Sequence, residues 1–353
     1  MMRWLLPAVM TSLALKSVLT LKSVAPELAT AQTIFFIIGL AIFFFVSKIK
    51  FEQLVKLAWP IYILVNLLLI VSYLFGIFTG KTGRWIPFWD IFNAQPSQLA
   101  IPATALTLLA LKESFNNFRG LLWALLVIGL PAILILIEPD LGTTLVYLIS
   151  TSIIIFLSDL SWKKIITLTG LVIVGAFFSW LFILKPYQKQ RITSFISPDQ
   201  DLQGSSYNAR QALIAVGSGQ LLGKGLGQGV QSHLRFLPER QTDFIFASLA
   251  EEFGFIGSIA VISLYVVLII FIIKTGLNTS SKKSFRYCMA IAVMTIVQAG
   301  INISMNIGIL PITGLTLPLI SYGGSSVLSL CIMLAMVQSI ANQTQPKAIL
   351  HLI

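Results

Sequence analysis

Along this chain, long Leu/Ile/Phe-rich apolar runs are separated by short polar breaks. They show neither the every-other-residue pattern of a membrane barrel nor the single stripe of a soluble amphipathic helix. A helix crossing a hydrocarbon layer about 30 Å thick needs roughly 20 mainly apolar residues. The runs therefore predict an all-α polytopic membrane protein with about ten spans, near residues 4–20, 32–47, 54–78, 96–112, 120–137, 142–158, 162–184, 245–273, 285–307 and 317–342. Lys16 falls inside the first, where a mid-bilayer cation is costly, so that helix is expected to tilt or lie partly in the interface. It lacks a small-residue cleavage site and is read as a span. One connection, about 185–244, far exceeds the others; it carries amphipathic stretches and is expected to be ordered and functional. Residues 1–353 read as a single integral membrane domain, without a visible internal repeat of the inverted-transporter kind.

Composition agrees with this pattern. Of 353 residues, 56% are hydrophobic and 10% charged, against roughly a quarter charged in a soluble domain. The net charge of +11 could suggest nucleic acid, but its distribution points to a bilayer instead. With the N-terminus inside, thirteen cations gather on the inner side: Arg3, Lys48, Lys50, Lys56, Lys112, Arg119, Lys163, Lys164, Lys274, Lys282, Lys283, Arg286 and Lys347. The short outer loops hold three, Lys22, Lys81 and Arg84. Both termini are therefore expected in the cytoplasm and the long connection outside. Acids show the reverse bias, with only Glu52, Glu113 and Asp159 inside. Cys288 and Cys331 support neither a disulfide framework nor a thiolate site, and His233 and His351 stand alone without metal-ligand spacing.

The outer connection carries the candidate chemistry. It holds Tyr187, Gln188 and Arg191, then Tyr207, Asn208, Arg210 and Gln211, then the run GSGQLLGKGLGQG at 217–229, and ends in RFLPERQTDF at 235–244. Glycine amides with Lys224 among them could cradle a phosphate, although the run is not a Walker A sequence, and a flexible turn between helices explains it as well. Arg191, Arg210, Lys224, Arg235 and Arg240 make this outer loop basic, as an anionic ligand or lipid head groups would require. Asp243, just before the eighth span, would sit at a partly desolvated boundary where a carboxyl could act as general base; Thr242 or Asp243 could equally cap the helix. Glu251 and Glu252, about two turns into that helix, would face a cavity or pair with loop arginines. Glu138, Pro139 and Asp140 form a tight outer turn. ISYGGSS, at 320–326, puts small residues early in the last span, where close packing is expected.

Eight segments taken in order carry a resemblance: GRWI (83–86), QPSQLA (95–100), EPDLGTT (138–144), YQKQRI (187–192), Tyr207 with Gln211, the glycine run, LPERQTDFIFA (237–247) and PLISYGGSS (318–326). Over nearly the whole chain they resemble the SEDS (shape, elongation, division and sporulation) family, to which RodA and FtsW belong, and LPER leans towards the RodA-like side. The resemblance implies a peptidoglycan glycosyltransferase of the bacterial cytoplasmic membrane, acting in cell elongation or division. Such an enzyme polymerises lipid II into a growing glycan strand on the outer face, in complex with a class B penicillin-binding protein. The family's essential aspartate falls on Asp243, the expected base of an inverting transfer. Arg191, Arg210 and Lys224 are the expected pyrophosphate contacts, with Tyr207, Gln211, Glu239, Glu251, Ser321 and Ser325 as further substrate contacts. No metal ligand is identified, and a divalent cation, Mg or Mn, could assist. The chain departs from the family at Gln98 and Ile101, where an acid and a base are usual, and at Asp201, Leu202, Gln203 and Gly204, where DPxG is usual. Loss of both charges together suggests a missing structural ion pair. A lipid II flippase working by alternating access and a non-catalytic transpeptidase scaffold are the competing expectations.

Overall fold

The computed structural model describes residues 2–79, 83–88, 92–112, 115–158, 160–197, 204–234 and 236–344. Lys81, Glu113, Asp159, Asp201, Leu202, Gln203, Arg235, Lys347 and His351 lie outside them, as does the side chain of Arg3. In chain order the helices are α1 (Met2–Val24), α2 (Pro26–Val46), α3 (Phe51–Lys56), α4 (Ala58–Thr79), α5 (Ser97–Ala110), α6 (Phe118–Ile137), α7 (Leu141–Phe156), α8 (Trp162–Phe178), α9 (Pro186–Ile196), α10 (Ser205–Ser218), α11 (Val230–His233), α12 (Ile245–Asn278), α13 (Lys282–Asn306) and α14 (Gly324–Gln343). A π-helical turn, Ser179–Ile183, extends α8, and a small antiparallel hairpin, β1 (Ile86–Phe88) and β2 (Phe92–Ala94), links α4 to α5.

Eight of these helices are long and apolar enough to cross a membrane, and α5 and α7 are shorter apolar helices, so each expected span has a helical counterpart. The helices begin where local chemistry allows. Pro26, whose missing N–H costs nothing in a first turn, opens α2; the Asp140 carboxylate accepts the Thr143 N–H at 3.1 Å to open α7. The last span starts later than the apolar window suggests, because residues 311–323 run irregularly across one end of the bundle and place Gly314 and Leu319 at positive φ.

The bundle's outside is apolar, with Phe78 and Phe182 among its exposed side chains, whereas hydroxyls and amides point inward. Buried Gln32 donates to the Ser321 carbonyl at 3.1 Å and accepts the Gly323 N–H at 3.2 Å; the buried Tyr147 hydroxyl donates to the Ile128 carbonyl at 3.0 Å. That inversion is expected where lipid replaces water and polar groups must be satisfied inside the protein. Lys16 is accommodated in the same way. α1 packs against α2 and α12, and the Lys16 ammonium stands 4.4 Å from the centre of the Phe253 ring.

α12 is two helices joined across a break. At Gly254 the backbone leaves helical geometry, with φ 67° and ψ −163°. The glycine-rich run fills the gap. Lys224 and Gly225 donate their N–H groups to the freed carbonyls of Glu251 and Glu252, at 3.0 Å each, while Gln220 and Leu221 accept from the N–H groups of Phe255 and Ile256 at 2.8 and 3.2 Å. Backbone meets backbone so closely that a methyl group on Gly219 would stand 2.0 Å from the Ala250 carbonyl oxygen, and one on Gly223 2.1 Å from that of Glu252. Only glycine fits. The run is thus an ordered brace of the broken helix, and the Lys224 and Gly225 amides, which a phosphate cradle would use, are spent on it.

Candidate functional site

The hairpin, the α6–α7 turn, α9, the segment before α12 and the irregular 311–323 stretch meet at one end of the bundle around a cavity of about 660 Å³. Asp243 lies on its wall, fixed by its backbone. Asn302 and Asn306, one turn apart on α13 and both buried, each donate a side-chain N–H to the Asp243 carbonyl at 3.0 Å. Asn306 also accepts the Ala247 N–H at 3.1 Å, and Ser321 donates its hydroxyl to the Thr242 carbonyl at 2.6 Å. Asparagines at i and i+4 inside an otherwise apolar span are a sequence signal for such a role, and sequence inspection passed over them.

The carboxyl is half-buried and its charge is penalised. Burial pushes the Asp243 pKa up to about 6, aided by the neighbouring carboxylates of Glu239 and Asp140 and opposed by the Arg191 guanidinium and a hydrogen bond from Thr242. Gly314, at φ 77°, lies beside both groups: a β-carbon there would meet Arg191 Nη1 at 3.4 Å and Asp243 Oδ2 at 3.5 Å, ordinary contacts, so it is the positive φ that favours glycine. Glu239, at φ 49°, accepts from the Thr242 hydroxyl at 3.0 Å.

A second arginine comes from the segment before the hairpin. Arg84 donates Nε to the Glu138 carbonyl at 2.8 Å and Nη2 to the Pro139 carbonyl, which also receives Tyr187 Oη at 3.3 Å and Gln188 Nε2 at 3.2 Å. Three donors thus converge on the Pro139 carbonyl and hold the α6–α7 turn. Glu138 is fully buried and receives the Ser72 hydroxyl, and burial still pushes its pKa up to about 8. Burial thus favours its neutral form beside Arg84.

Of the expected site residues, Asp243, Arg191, Glu239 and Ser325 line the cavity, and Arg84 and Asp140 join them. Ser325 accepts the Gln95 N–H at 2.8 Å, which anchors the start of α5. Gln98 also faces the cavity, whereas Ile101 is packed in the core, so the chain carries no unpaired ion at that missing pair. Tyr207, Arg210, Gln211, Lys224, Glu251 and Ser321 lie outside the lining. Ser321 is buried as a backbone tie. Glu251, wholly buried, accepts from the Gln231 and Ser232 N–H groups at 3.0 Å each and from the Ser232 hydroxyl at 2.7 Å, with Lys224 Nζ at 3.6 Å. Glu251 and Lys224 therefore bind the long connection to α12. Among the described residues no three of His, Cys, Asp or Glu are grouped closely enough to hold a metal ion.

An apolar-coated helix bundle whose carboxylates and guanidiniums line a cavity at one end defines a polytopic membrane protein. The chain belongs to the FtsW/RodA/SpoVE family of cell cycle proteins, whose profile matches residues 2–346. It is 38% identical over 289 residues to the peptidoglycan glycosyltransferase MrdB of Escherichia coli, covering 79% of this chain and 76% of that protein. It is 34% identical to the probable peptidoglycan glycosyltransferase FtsW of Halomonas elongata, covering 97% and 90%. Among solved structures it is similar, at TM-score 0.79 and 26% identity over 96% of this chain and 97% of the other, to a chain of a peptidoglycan synthase complex that coordinates polymerization and crosslinking. It is also similar, at TM-score 0.70 and 25% identity over 97% of each chain, to the rod shape determining protein RodA of Thermus thermophilus.

Proposed function

We propose that this chain is a peptidoglycan glycosyltransferase that extends glycan strands from lipid II at the outer face of the bacterial cytoplasmic membrane, with both termini in the cytoplasm. The observation that carries the chemistry is Asp243, a carboxyl with a raised pKa on the wall of a cavity shared with Arg191 and Arg84. Asp243 accepts the proton of the acceptor sugar's 4-hydroxyl as that oxygen attacks the anomeric carbon of a second lipid-linked disaccharide. The bond to the diphosphate breaks, its electron pair leaves with undecaprenyl pyrophosphate, and the α-linked donor becomes a β-linked product by inversion. One base and stabilisation of the leaving group suffice, with no covalent intermediate.

Of the three cations expected on the diphosphate, Arg191 lines the cavity and Arg84 joins it there, while Lys224 pairs with Glu251 and Arg210 lies outside the lining. The aliphatic side of the cavity, with Leu141, Leu145, Ile301 and Leu310, suits the start of a polyprenyl chain. The asymmetry of cations between the two membrane faces supports the orientation. A class B penicillin-binding protein is the proposed partner, in line with the similarity to the synthase complex.

A base must be ionised to work, so kcat/KM for lipid II polymerisation should fall about tenfold per pH unit below about pH 6. Glu239→Gln, which removes a neighbouring negative charge, should move that limb to lower pH. Arg191→Gln, which removes a positive one, should move it to higher pH. A limb that ignores both substitutions would detach the pH dependence from Asp243.

A further inference from the structure

The glycine-rich run has a second face, unused by the site. Its backbone is joined to α12, yet Leu221, Leu222 and Leu226 are 67%, 78% and 51% exposed. Their position is set by the hydrogen bonds across the helix break, which put Gln220 and Leu221 directly on Phe255 and Ile256. Those two residues begin the exposed apolar stripe of α12, which continues through Ile259, Ile262, Val266 and Ile270 at helical spacing and faces lipid. The leucines therefore cap the outer end of a lipid-facing stripe. Residues 255–273 contain no charge and form a helix about 28 Å long, so Gly254 falls where the hydrocarbon layer ends.

We infer that Leu221, Leu222 and Leu226 are seated in the outer leaflet, at the boundary between head groups and acyl chains, and that lipid is the occupant of this patch. The loop can approach that layer because much of its backbone is already paired. The N–H groups of Gly223, Lys224, Gly225 and Gln228 all go to carbonyls, and the Lys224 ammonium turns inward to Glu251. The consequence concerns depth. The outer half of α12 is joined to the leucine loop at one end and follows directly from Asp243 at the other, so lipid contact holds the carboxyl at a fixed height relative to the bilayer.

Depth-resolved quenching in nanodiscs tests this. Leu222→Cys carrying a bimane label should be quenched by phospholipids with a nitroxide high on the acyl chain, as Ile256→Cys should be, and shielded from aqueous iodide; Cys288 and Cys331 are both buried, and unmodified protein provides the blank. Quenching by iodide without lipid quenching would overturn the inference, and so would protection from both quenchers, which would mean a protein occupant. A second pair of measurements guards against a perturbing label. The double variant Leu221→Gln/Leu222→Gln should keep its Tm in detergent and lose activity about tenfold in nanodiscs relative to detergent. Equal losses in the two media would count against a lipid seat.

Discussion

Replacing Asp243 by Asn is expected to cut polymerisation of lipid II by about 10²–10⁴-fold and, at the same time, to make the protein more stable above neutral pH. The activity loss follows from removing the proposed base while keeping its size and its backbone ties to Asn302 and Asn306. The gain in stability follows from linkage. A folded-state pKa raised from 3.8 to about 6 means that the fold binds this proton more tightly than the unfolded chain does. Stability that is fully present below the ordinary value is then lost as pH rises through about 6, at a cost on the order of 1–3 kcal/mol. Asn carries no charge and escapes that loss. Thermal melts should therefore show the variant ahead at pH 8, with the difference shrinking towards pH 4. A variant less stable than the parent at pH 8 would show that Asp243 is a structural cap.

Glu251→Ala should be the most damaging change away from the cavity. It removes a fully buried acceptor that satisfies two backbone N–H groups, the Ser232 hydroxyl and the Lys224 ammonium, and leaves them unpaired in a low-dielectric setting. A loss of about 3–5 kcal/mol is expected. Lys224→Ala breaks the same ion pair from its partly exposed end and should cost about 1 kcal/mol or less. Melting temperature in detergent, together with protease cleavage within residues 219–229, should rank them in that order. If Lys224→Ala proved the more harmful, the ammonium would be serving a ligand rather than the glycine run.

The spans were legible because hydrocarbon thickness imposes a length on apolar runs, and ten windows correspond to ten helices even though α5 and α7 are short. Asp243 was legible for a similar reason, as a carboxyl abutting an apolar run. The misjudged parts depend on partners distant in sequence. Nothing around Gly217 to Gly229 announces that its amides will meet carbonyls released at Gly254, and a single glycine inside an apolar run does not announce a helix break. Lys224 looked free for a phosphate because its acceptor, Glu251, lies 27 positions away. Arg84 was counted as one outer cation among few, and only the carbonyls of Glu138 and Pro139 show why it stands at the cavity. Ser321 and Ser325 were expected as small residues for helix packing and as substrate contacts; the fold uses their hydroxyls to tie down the segments that carry Asp243 and Gln95.

The most direct test mixes purified protein and the class B penicillin-binding protein proposed as its partner with lipid II in detergent, where no membrane sides exist, and resolves the products on a gel with crosslinking blocked by a β-lactam. The polymerase account predicts a ladder of glycan strands from the parental chain and none from Asp243→Asn. Contradiction would take the form of an Asp243→Asn ladder equal to the parental one, or of no ladder from a folded parental complex that still moves lipid II between leaflets in vesicles.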